Sequence, residues 1–433
     1  MARTMERATE IARQAGMNPL DYLRMRGYVH DVTDEAGLRE AFDTGVVTLY
    51  NGYDATAPSL HAGNLVSIMM LSSLQQFGHR PIALAGGGTT MIGDPSGKDE
   101  MRKMLTVEAI NENLAGIKTQ FARYIDFEGA RFGTNVPAML INNADWLLDL
   151  RLIPFLRDIG RHFSVNEMLT AETYRQRLET TGLSFIEFNY RVLQSYDFLH
   201  LFRTEGCILQ TGGSDQWGNI TAGVDLIRRA DSGKAFGLVT PLITTSDGRK
   251  MGKSVSGAMW LDADMLSPFD YYQFWINTTD DDVARFMRLY TFLPEDYIND
   301  LTSVSGEALR EAKAVLAWEA TALTHGEAAA DAAANQTRTL FVSDSSSVSA
   351  DDMMEIAVTI EVSDEMTLAD IVIGAGLATS RNEVRRLAAQ GGLSMNGERI
   401  EDVHVPASSL DELLVLRAGK KRIRPVHLIH KGS

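Results

Sequence analysis

The stretch from Tyr50 to Asn64, Tyr-Asn-Gly-Tyr-Asp-Ala-Thr-Ala-Pro-Ser-Leu-His-Ala-Gly-Asn, constrains the fold more than any other part of the chain. Val46 to Tyr50 is a β-branched and aromatic run, which predicts a buried strand. Residues 51–60 interrupt it with Gly, Asp, Thr, Pro and Ser and predict a loop. From Ala62 onward Leu65, Ile68, Met69 and Leu71 fall at helical spacing, so a helix is expected to begin near His61. A strand, a loop of small residues and a helix N-terminus together make an anion site, because unpaired backbone N–H groups and the helix dipole face the loop. Gly63 has no side chain, so a planar ligand can approach its backbone closely.

Such units build α/β folds, and the stretch alone is equally compatible with an ordinary strand–loop–helix crossover. At the same residues a resemblance begins. His61-Ala62-Gly63-Asn64 resembles the His-x-Gly-His signature of class I aminoacyl-tRNA synthetases, and Tyr50 to Leu60 resembles its form in the tyrosyl branch. Asn64 departs from the second His of the signature. It can donate a hydrogen bond but cannot become a cation.

Further segments follow in order. Pro81 to Ala85 predicts a strand running into Gly86-Gly87-Gly88-Thr89-Thr90-Met91-Ile92-Gly93-Asp94-Pro95-Ser96-Gly97-Lys98. This is not a P-loop, which needs Gly, four residues and Gly-Lys-Ser/Thr. Here Asp99 follows Lys98, and Ile92 stands where the first Gly would be. A Gly-rich turn presenting Asp94 and Lys98 remains. It resembles the Gly-Asp-Pro-Ser-Gly-Lys segment of tyrosyl-tRNA synthetases, which implies that Asp94 helps hold the substrate amino group and that Lys98 lies near the ATP phosphates. Ala138 to Ile141 predicts another strand, with Asn142 and Asn143 at its C-terminal end, where ligands of open α/β sheets collect.

Residues 152–205 read as helices. Tyr190, Gln194 and Asp197 are spaced i, i+4, i+7 and share one helix face. Apolar residues occupy the other sides, so these polar groups are partly buried and need partners, for which a polar ligand is a natural source. The resemblance assigns Tyr190 and Gln194 to the amino group of tyrosine, and Asp197 with Tyr50 to its phenol. The strand Cys207 to Gln210 leads into Thr211-Gly212-Gly213-Ser214-Asp215-Gln216. There the resemblance implies contacts of Gly213, Asp215 and Gln216 with the ribose and the amino acid. Lys250-Met251-Gly252-Lys253-Ser254 resembles the second class I signature, Lys-Met-Ser-Lys-Ser, with Gly at its third position.

The implied site therefore has three parts. Thr56, His61, Lys98, Lys250 and Lys253 carry catalysis, with Arg102 a further candidate. Tyr50, Asp94, Tyr190, Gln194, Asp197 and Gln216 bind tyrosine. Gly52, Asp54, His61, Gly63, Asn64, Gly213, Asp215, Lys250 and Lys253 bind ATP. No pair of residues stands out as general acid and base. That suits adenylate formation, where a carboxylate is already a nucleophile and catalysis consists of positioning and charge neutralisation.

Residues 265–345 read as helical, with Asp280-Asp281-Asp282 opening one helix at its favourable end. The Ser-rich run from Val342 to Ser349 reads as a linker. Ser380-Arg381-Asn382-Glu383 is a capping box for a helix ending at Gly391-Gly392, and Asn396-Gly397 is a hairpin turn. This region resembles the S4-type RNA-binding module of bacterial tyrosyl enzymes. A net charge of −16 argues against a polyanion partner on its face. The charge is uneven, however: Arg381, Arg385, Arg386, Arg417, Lys420, Lys421, Arg422 and Arg424 cluster near the C-terminus. Arg381, Arg385, Arg386, Lys420 and Lys421 are the residues expected to meet RNA.

The expected architecture is α/β. A Rossmann-like parallel-sheet catalytic domain with an N-terminal helical extension spans 1–245, and a Lys-Met-Gly-Lys-Ser loop spans 246–264. An α-helical anticodon-side domain spans 265–342, a linker 343–365, and a small α+β S4-like domain 366–433. The single cysteine, Cys207, excludes an intramolecular disulfide and a cysteine-cluster zinc site. No apolar run is long enough to span a bilayer, and the N-terminus lacks a signal-peptide core. The resemblance implies ATP and tyrosine as substrates, Mg²⁺ with the ATP and no structural metal. It also implies tRNA-Tyr as partner, a homodimer with Phe185 near the contact, no membrane and a cytoplasmic setting. Two other classes remain open: a tryptophanyl-type enzyme or other adenylyltransferase on the same fold, and an inactive RNA-binding relative.

Overall fold

In the computed structural model, the described residues are 7–94, 105–170, 172–180, 182–246, 248, 251, 253–254, 257–341, 353–354, 357–363, 365–419 and 422–430. Six strands form the central sheet: β1 (Asp31–Val32), β2 (Thr48–Tyr53), β3 (Arg80–Ala85), β4 (Met139–Asn142), β5 (Cys207–Gly213) and β6 (Phe236–Thr240). Their spatial order is β1-β6-β5-β2-β3-β4. All neighbours are parallel except the short edge strand β1, which is antiparallel to β6. The strand order reverses at β2, between β3 and β5, and open parallel sheets bind ligands at such a switch point.

β2 is longer than its hydrophobic run predicts. Asn51, Gly52 and Tyr53, expected in the loop, continue the strand because Asn51↔Ala83, Gly52↔Leu84 and Tyr53↔Ala85 pair in register with β3. Pairing with β3 gains ladder hydrogen bonds that outweigh the poor β-propensity of Asn and Gly. Downstream, a 3₁₀ turn over Ala62–Asn64 leads into the helix Leu65–Gln76, close to the expected start. That helix is buried on nearly every side between the sheet and the helices around it, and its buried Ser72 and Gln75 donate to the carbonyls of Tyr124 and Asp126.

The region 152–205 is helical in pieces, Leu152–Asp158, Val165–Leu169 and Glu172–Glu179, before the long helix Phe185–Glu205. A Ser184–Glu187 capping box starts that helix and Gly206, at φ +64°, ends it. Helices from Pro268 to Phe341 form the next layer. Its core is continuous with one side of the sheet and with the N-terminal helices. Buried Arg26 fastens that N-terminal segment to the layer, donating to the carbonyls of Leu293 at 2.8 Å, Met287 at 3.2 Å and Thr291. A separate apolar cluster fills the other side of the sheet against the helix Phe185–Glu205.

The C-terminal unit has its own core and a five-stranded sheet. Its hairpin turns at Asn396 (φ +51°) and Gly397 (φ +90°), two consecutive left-handed residues matching the twist of the flanking strands. One of its strands lies inside the stretch expected to be linker: Val358–Val362 pairs in parallel with Arg422–His430. Of the linker's Ser-rich run, residues 342–349, none is among the described residues.

Candidate active site

A cavity of about 590 Å³ opens at the C-terminal ends of β2, β3 and β5. Tyr50, Gly52, Asp54, Thr56, His61, Gly63, Asn64, Asp94, Tyr190, Gln194, Asp197, Gly213, Asp215 and Gln216 all line it. These are all the residues with described side chains that the sequence assigns to catalysis or to tyrosine and ATP. Lys98, Arg102 and Lys250 lie outside the described residues. Lys253 is described only as backbone, in the short strand Lys253–Ser254.

The deep wall is formed by β2 and the helix Phe185–Glu205. Tyr50 is 1 % exposed, packs against Phe198, and its hydroxyl has no hydrogen-bond partner among the described residues. Burial, reinforced by the charge of Asp197, holds its pKa well above the ordinary phenol value. The Asp197 carboxylate accepts from Trp146 Nε1 at 2.8 Å and Asn143 Nδ2 at 2.9 Å. Burial nonetheless pushes its pKa up to about 7, because two neutral donors offset only part of the desolvation and the charge of Asp54 opposes ionisation.

Asn143 lines the cavity, as its place at a strand end suggests, and both asparagines also have a structural task. Asn142 Oδ1 accepts the Gly87 N–H at 3.1 Å and Asn143 Oδ1 accepts the Gly88 N–H at 2.8 Å, so the pair pins the Gly-rich turn. A Cβ at Gly87 would sit 2.2 Å from Asn142 Oδ1, which explains the glycine. Trp146 is held in turn by stacking on His200 at 4.2 Å.

On a second wall Tyr190 Oη donates to Asp54 Oδ1 at 3.5 Å. Gln216 Nε2 donates to Asp94 Oδ2 at 2.7 Å. Asn219, from the helix Trp217–Asp231, donates to Oε1 of both Gln194 and Gln216 at 3.1 Å and accepts from Arg191 Nε at 3.2 Å. Gln210, the register partner of Tyr50 on β5, also lines the cavity, and its buried side-chain oxygen has no partner among the described residues. Trp146, Gln210 and Asn219 carry no signal in the sequence. Asn143 is marked there by its strand-end position, but its bond to Asp197 is not.

The mouth is built from the turn at His61. Asn64 Oδ1 accepts the His61 N–H at 3.1 Å, and His61 Nδ1 accepts the Gly63 N–H at 3.1 Å, a reciprocal cap. The neutral imidazole therefore carries its proton on Nε2 and is a donor there. A Cβ at Gly63 would press on the His61 ring at 2.9 Å and on the Met251 carbonyl at 3.1 Å. The segment leaving the Lys-Met-Gly-Lys-Ser stretch runs antiparallel past this turn: the Ala62 N–H donates to Met259 O at 2.8 Å, and Leu261 N–H to Leu60 O at 2.9 Å. At the entry to that stretch, Asp282 Oδ2 accepts the Ser246 N–H at 2.7 Å. Asp282 thus serves as an anchor for the loop, and the acidic run opens only a 3₁₀ turn, Asp280–Asp282, before the helix Val283–Tyr290.

Arg381, Arg385 and Arg386, which do not line the cavity, are exposed on the helix Arg381–Ala389 of the C-terminal unit. Lys420 and Lys421 lie outside the described residues. Arg424 does not join this surface. It is turned inward, ion-paired with Asp270 and 5.1 Å from the Phe269 ring, so it ties the unit to the helical layer.

Comparison with known proteins agrees with this geometry. The family model for class I tRNA synthetases (W and Y) matches residues 43–342, and that for the tyrosine–tRNA ligase SYY-like C-terminal domain matches residues 348–424. A tyrosine–tRNA ligase from Desulfosudis oleivorans is 51 % identical over 440 residues, covering 96 % of this chain and 100 % of its own. One from Cereibacter sphaeroides is 49 % identical over 414 residues, covering 94 % and 98 %. Among solved structures, a C-terminally truncated mitochondrial tyrosyl-tRNA synthetase from Aspergillus nidulans superposes with a TM-score of 0.69 at 32 % identity, covering 77 % of this chain and 97 % of that one.

Proposed function

The chain belongs to the tyrosyl-tRNA synthetases of class I, and from that premise we propose how its own residues divide the work. The reaction is the ligation of tyrosine to tRNA: L-tyrosine and ATP give tyrosyl-adenylate and pyrophosphate, and the tyrosyl group then passes to the terminal adenosine of tRNA-Tyr. In the first step a tyrosine carboxylate oxygen bonds to the α-phosphorus while the bond to pyrophosphate breaks. In the second, a ribose hydroxyl of the adenosine attacks the carbonyl carbon and AMP leaves.

In our reading the phenol lies against the deep wall, accepting from the Tyr50 hydroxyl and donating to Asp197. Asp94, Tyr190, Gln194 and Gln216 receive the ammonium group. Gly52, Asp54, Gly63 and Asn64 line the nucleotide's side of the cavity, while Gly213 and Asp215 meet the ribose. Thr56 and the Nε2–H of His61 donate to phosphate oxygens as negative charge gathers at the pentacoordinate α-phosphorus, the moment at which preorganised donors act most strongly. Lys98, Lys250 and Lys253 neutralise the departing pyrophosphate. Mg²⁺ travels with ATP, ligated mainly by phosphate and water.

The observation that carries this division is the unpartnered, fully buried Tyr50 hydroxyl sharing one cavity with Asp197. A buried donor without a partner is costly, and a phenolic ligand supplies one. Tyr50 with Asp197 also favours tyrosine over tryptophan, and a His61 turn arranged as a donor favours an active enzyme over an inactive relative. The test is tyrosine-dependent ATP–pyrophosphate exchange, with tryptophan and phenylalanine as controls. Exchange driven by tryptophan, or none at all, overturns the reading.

Three wider statements belong to the same proposal. The chain divides into a catalytic unit to about 245, a loop to 264, a helical anticodon-side unit to 342 and a C-terminal RNA-binding unit in which Arg381, Arg385 and Arg386 of one helix, together with Lys420 and Lys421, meet RNA. It works as a homodimer through the segment around Phe185. The support is the exposed apolar side chains there, with Phe185 83 % and the adjacent Ile186 39 % exposed. A monomer in sedimentation at micromolar concentration would overturn this. With tRNA and ATP as substrates, its place is the cytoplasm.

A further inference from the structure

We propose that one face of the helix Val107–Tyr124 is a brace for the ATP-facing loop, and that Gln120 is a positioning residue for adenylate formation. The proposal rests on the reading of Thr56 and His61 as ATP-contacting groups.

Asn113, Gly116 and Gln120 are spaced i, i+3, i+7 and share a helix face. Each meets the loop between β2 and His61. Asn113 Nδ2 donates to the Ala55 carbonyl at 2.8 Å, immediately before Thr56. Gly116 lies against the next turn so closely that a Cβ there would be 2.3 Å from the Pro58 carbonyl oxygen. Gln120 Oε1 accepts the Leu60 N–H at 2.8 Å, immediately before His61, and receives a longer contact from the Ser59 hydroxyl at 3.4 Å.

Backbone groups are thus gripped on either side of Thr56 and up to His61 by one rigid element. Loop carbonyls and amides otherwise satisfied by water would let the segment wander. Ser59 extends the grip. Its hydroxyl oxygen accepts the Asp262 N–H at 3.2 Å, so the segment leaving the Lys-Met-Gly-Lys-Ser stretch is held to the same point. The brace is itself fixed one turn further on, where Tyr124 Oη and Thr324 Oγ1 are 2.6 Å apart, linking it to the helical layer.

None of the three brace residues lines the cavity. They act only through the backbone of the loop. The deep wall of Tyr50 and Asp197 is held instead by β2 and the helix Phe185–Glu205, so loss of the brace misplaces the phosphate-facing donors and leaves the phenol pocket intact. A shift of about 1 Å in such groups costs up to roughly a hundredfold in rate. Gln120 also offers a sharp control. Its Nε2 has no partner among the described residues, whereas Oε1 does the holding. Gln120→Glu keeps the acceptor oxygen and replaces the idle amide nitrogen by a second carboxyl oxygen, with its charge or proton; Gln120→Leu removes the acceptor.

The experiment uses the full chain. It measures the pre-steady-state rate of tyrosyl-adenylate formation, and separately the tyrosine Kd without ATP. Gln120→Leu is expected to slow the rate roughly ten- to hundredfold with tyrosine Kd within about twofold of wild type, and Gln120→Glu to recover at least about half of the logarithmic loss. A smaller loss of rate in Gln120→Leu, a Kd that weakens in proportion to the rate, or a Glu variant as slow as the Leu variant overturns the proposal. If Gln120→Leu does not fold, Asn113→Ala, at a partly exposed position, carries the test. A loss of at least roughly fivefold in its rate at unchanged Kd supports the brace, and any smaller loss overturns it. His61→Ala separates the two levels: if it is as fast as wild type, the reading of His61 has failed; if it is slow and the Gln120 and Asn113 variants are not, only the brace has failed.

Discussion

The Tyr50 hydroxyl has no partner among the described residues, while both oxygens of Asp197 already accept one. A phenol between them completes the first and adds to the second. Tyr50→Phe keeps the ring against Phe198 and removes one hydrogen bond. It should weaken tyrosine by about 0.5–1.5 kcal/mol and narrow its advantage over phenylalanine by a similar amount, read as the ratio of kcat/KM in exchange assays. An unchanged ratio means that Tyr50 does not read the hydroxyl. Asp197 makes a pH-dependent prediction with two opposite signs. Its folded pKa, about 7, lies above the ordinary carboxylate value. Between the two the native state binds the extra proton, so this group's contribution to stability is greatest below the ordinary value and is lost as pH rises through about 7. Binding runs the other way, because the acceptor is the carboxylate: tyrosine Kd should weaken as pH falls below about 7. Asp197→Asn should flatten both profiles. A wild-type Kd constant from pH ~5.5 to ~8 would exclude Asp197 as the phenol's acceptor.

At the scale of elements, the helix Trp217–Asp231 sets the ammonium side of the pocket through one residue. Asn219 bridges Gln194, Gln216 and Arg191, and Gln216 reaches on to Asp94. Asn219→Leu fills a similar volume and removes a partner from buried Arg191 and from the partly buried Gln194 and Gln216. Tyrosine binding should weaken by about 1–3 kcal/mol, with little change in the KM for ATP. Equilibrium dialysis decides it: a Kd within twofold of wild type, a difference below about 0.5 kcal/mol, would make the network decorative. The same logic explains why β2 runs through Asn51-Gly52-Tyr53. Pairing with β3 fixes the backbone, and Gly52 and Tyr53 are carried to the cavity as a consequence.

For the whole molecule, the C-terminal unit must be removed at the right place to be tested. Val358–Val362 pairs with Arg422–His430, so a cut at Thr367 leaves an orphaned strand, and a cut just after Phe341 does not. The chain shortened to residue 341 should activate tyrosine at a rate within about twofold of the full chain and lose most tRNA charging. Charging by the full chain should fall steeply with salt, because phosphate contacts release counterions. Full charging by the shortened chain would refute the RNA-binding role.

Local chemistry determined much of this protein in advance. The Tyr50–Asn64 stretch, the Gly-rich turn at 86–94, the polar face of Tyr190, Gln194 and Asp197, and the Asn396-Gly397 hairpin are all legible because turn residues, caps and periodicity act within a few positions. The strand Val358–Val362 escaped the reading beside a Ser-rich run although its apolar residues alternate. Tertiary structure decided the rest. Trp146 and Asn143 reach Asp197 across 51 and 54 residues, and Gln120 reaches Leu60 across 60. Arg424 belongs to a basic cluster in sequence and turns inward to Asp270 in space. No periodicity encodes such pairs. They exist only once strand order and helix packing bring distant segments within hydrogen-bond reach, where a buried polar group must find a partner.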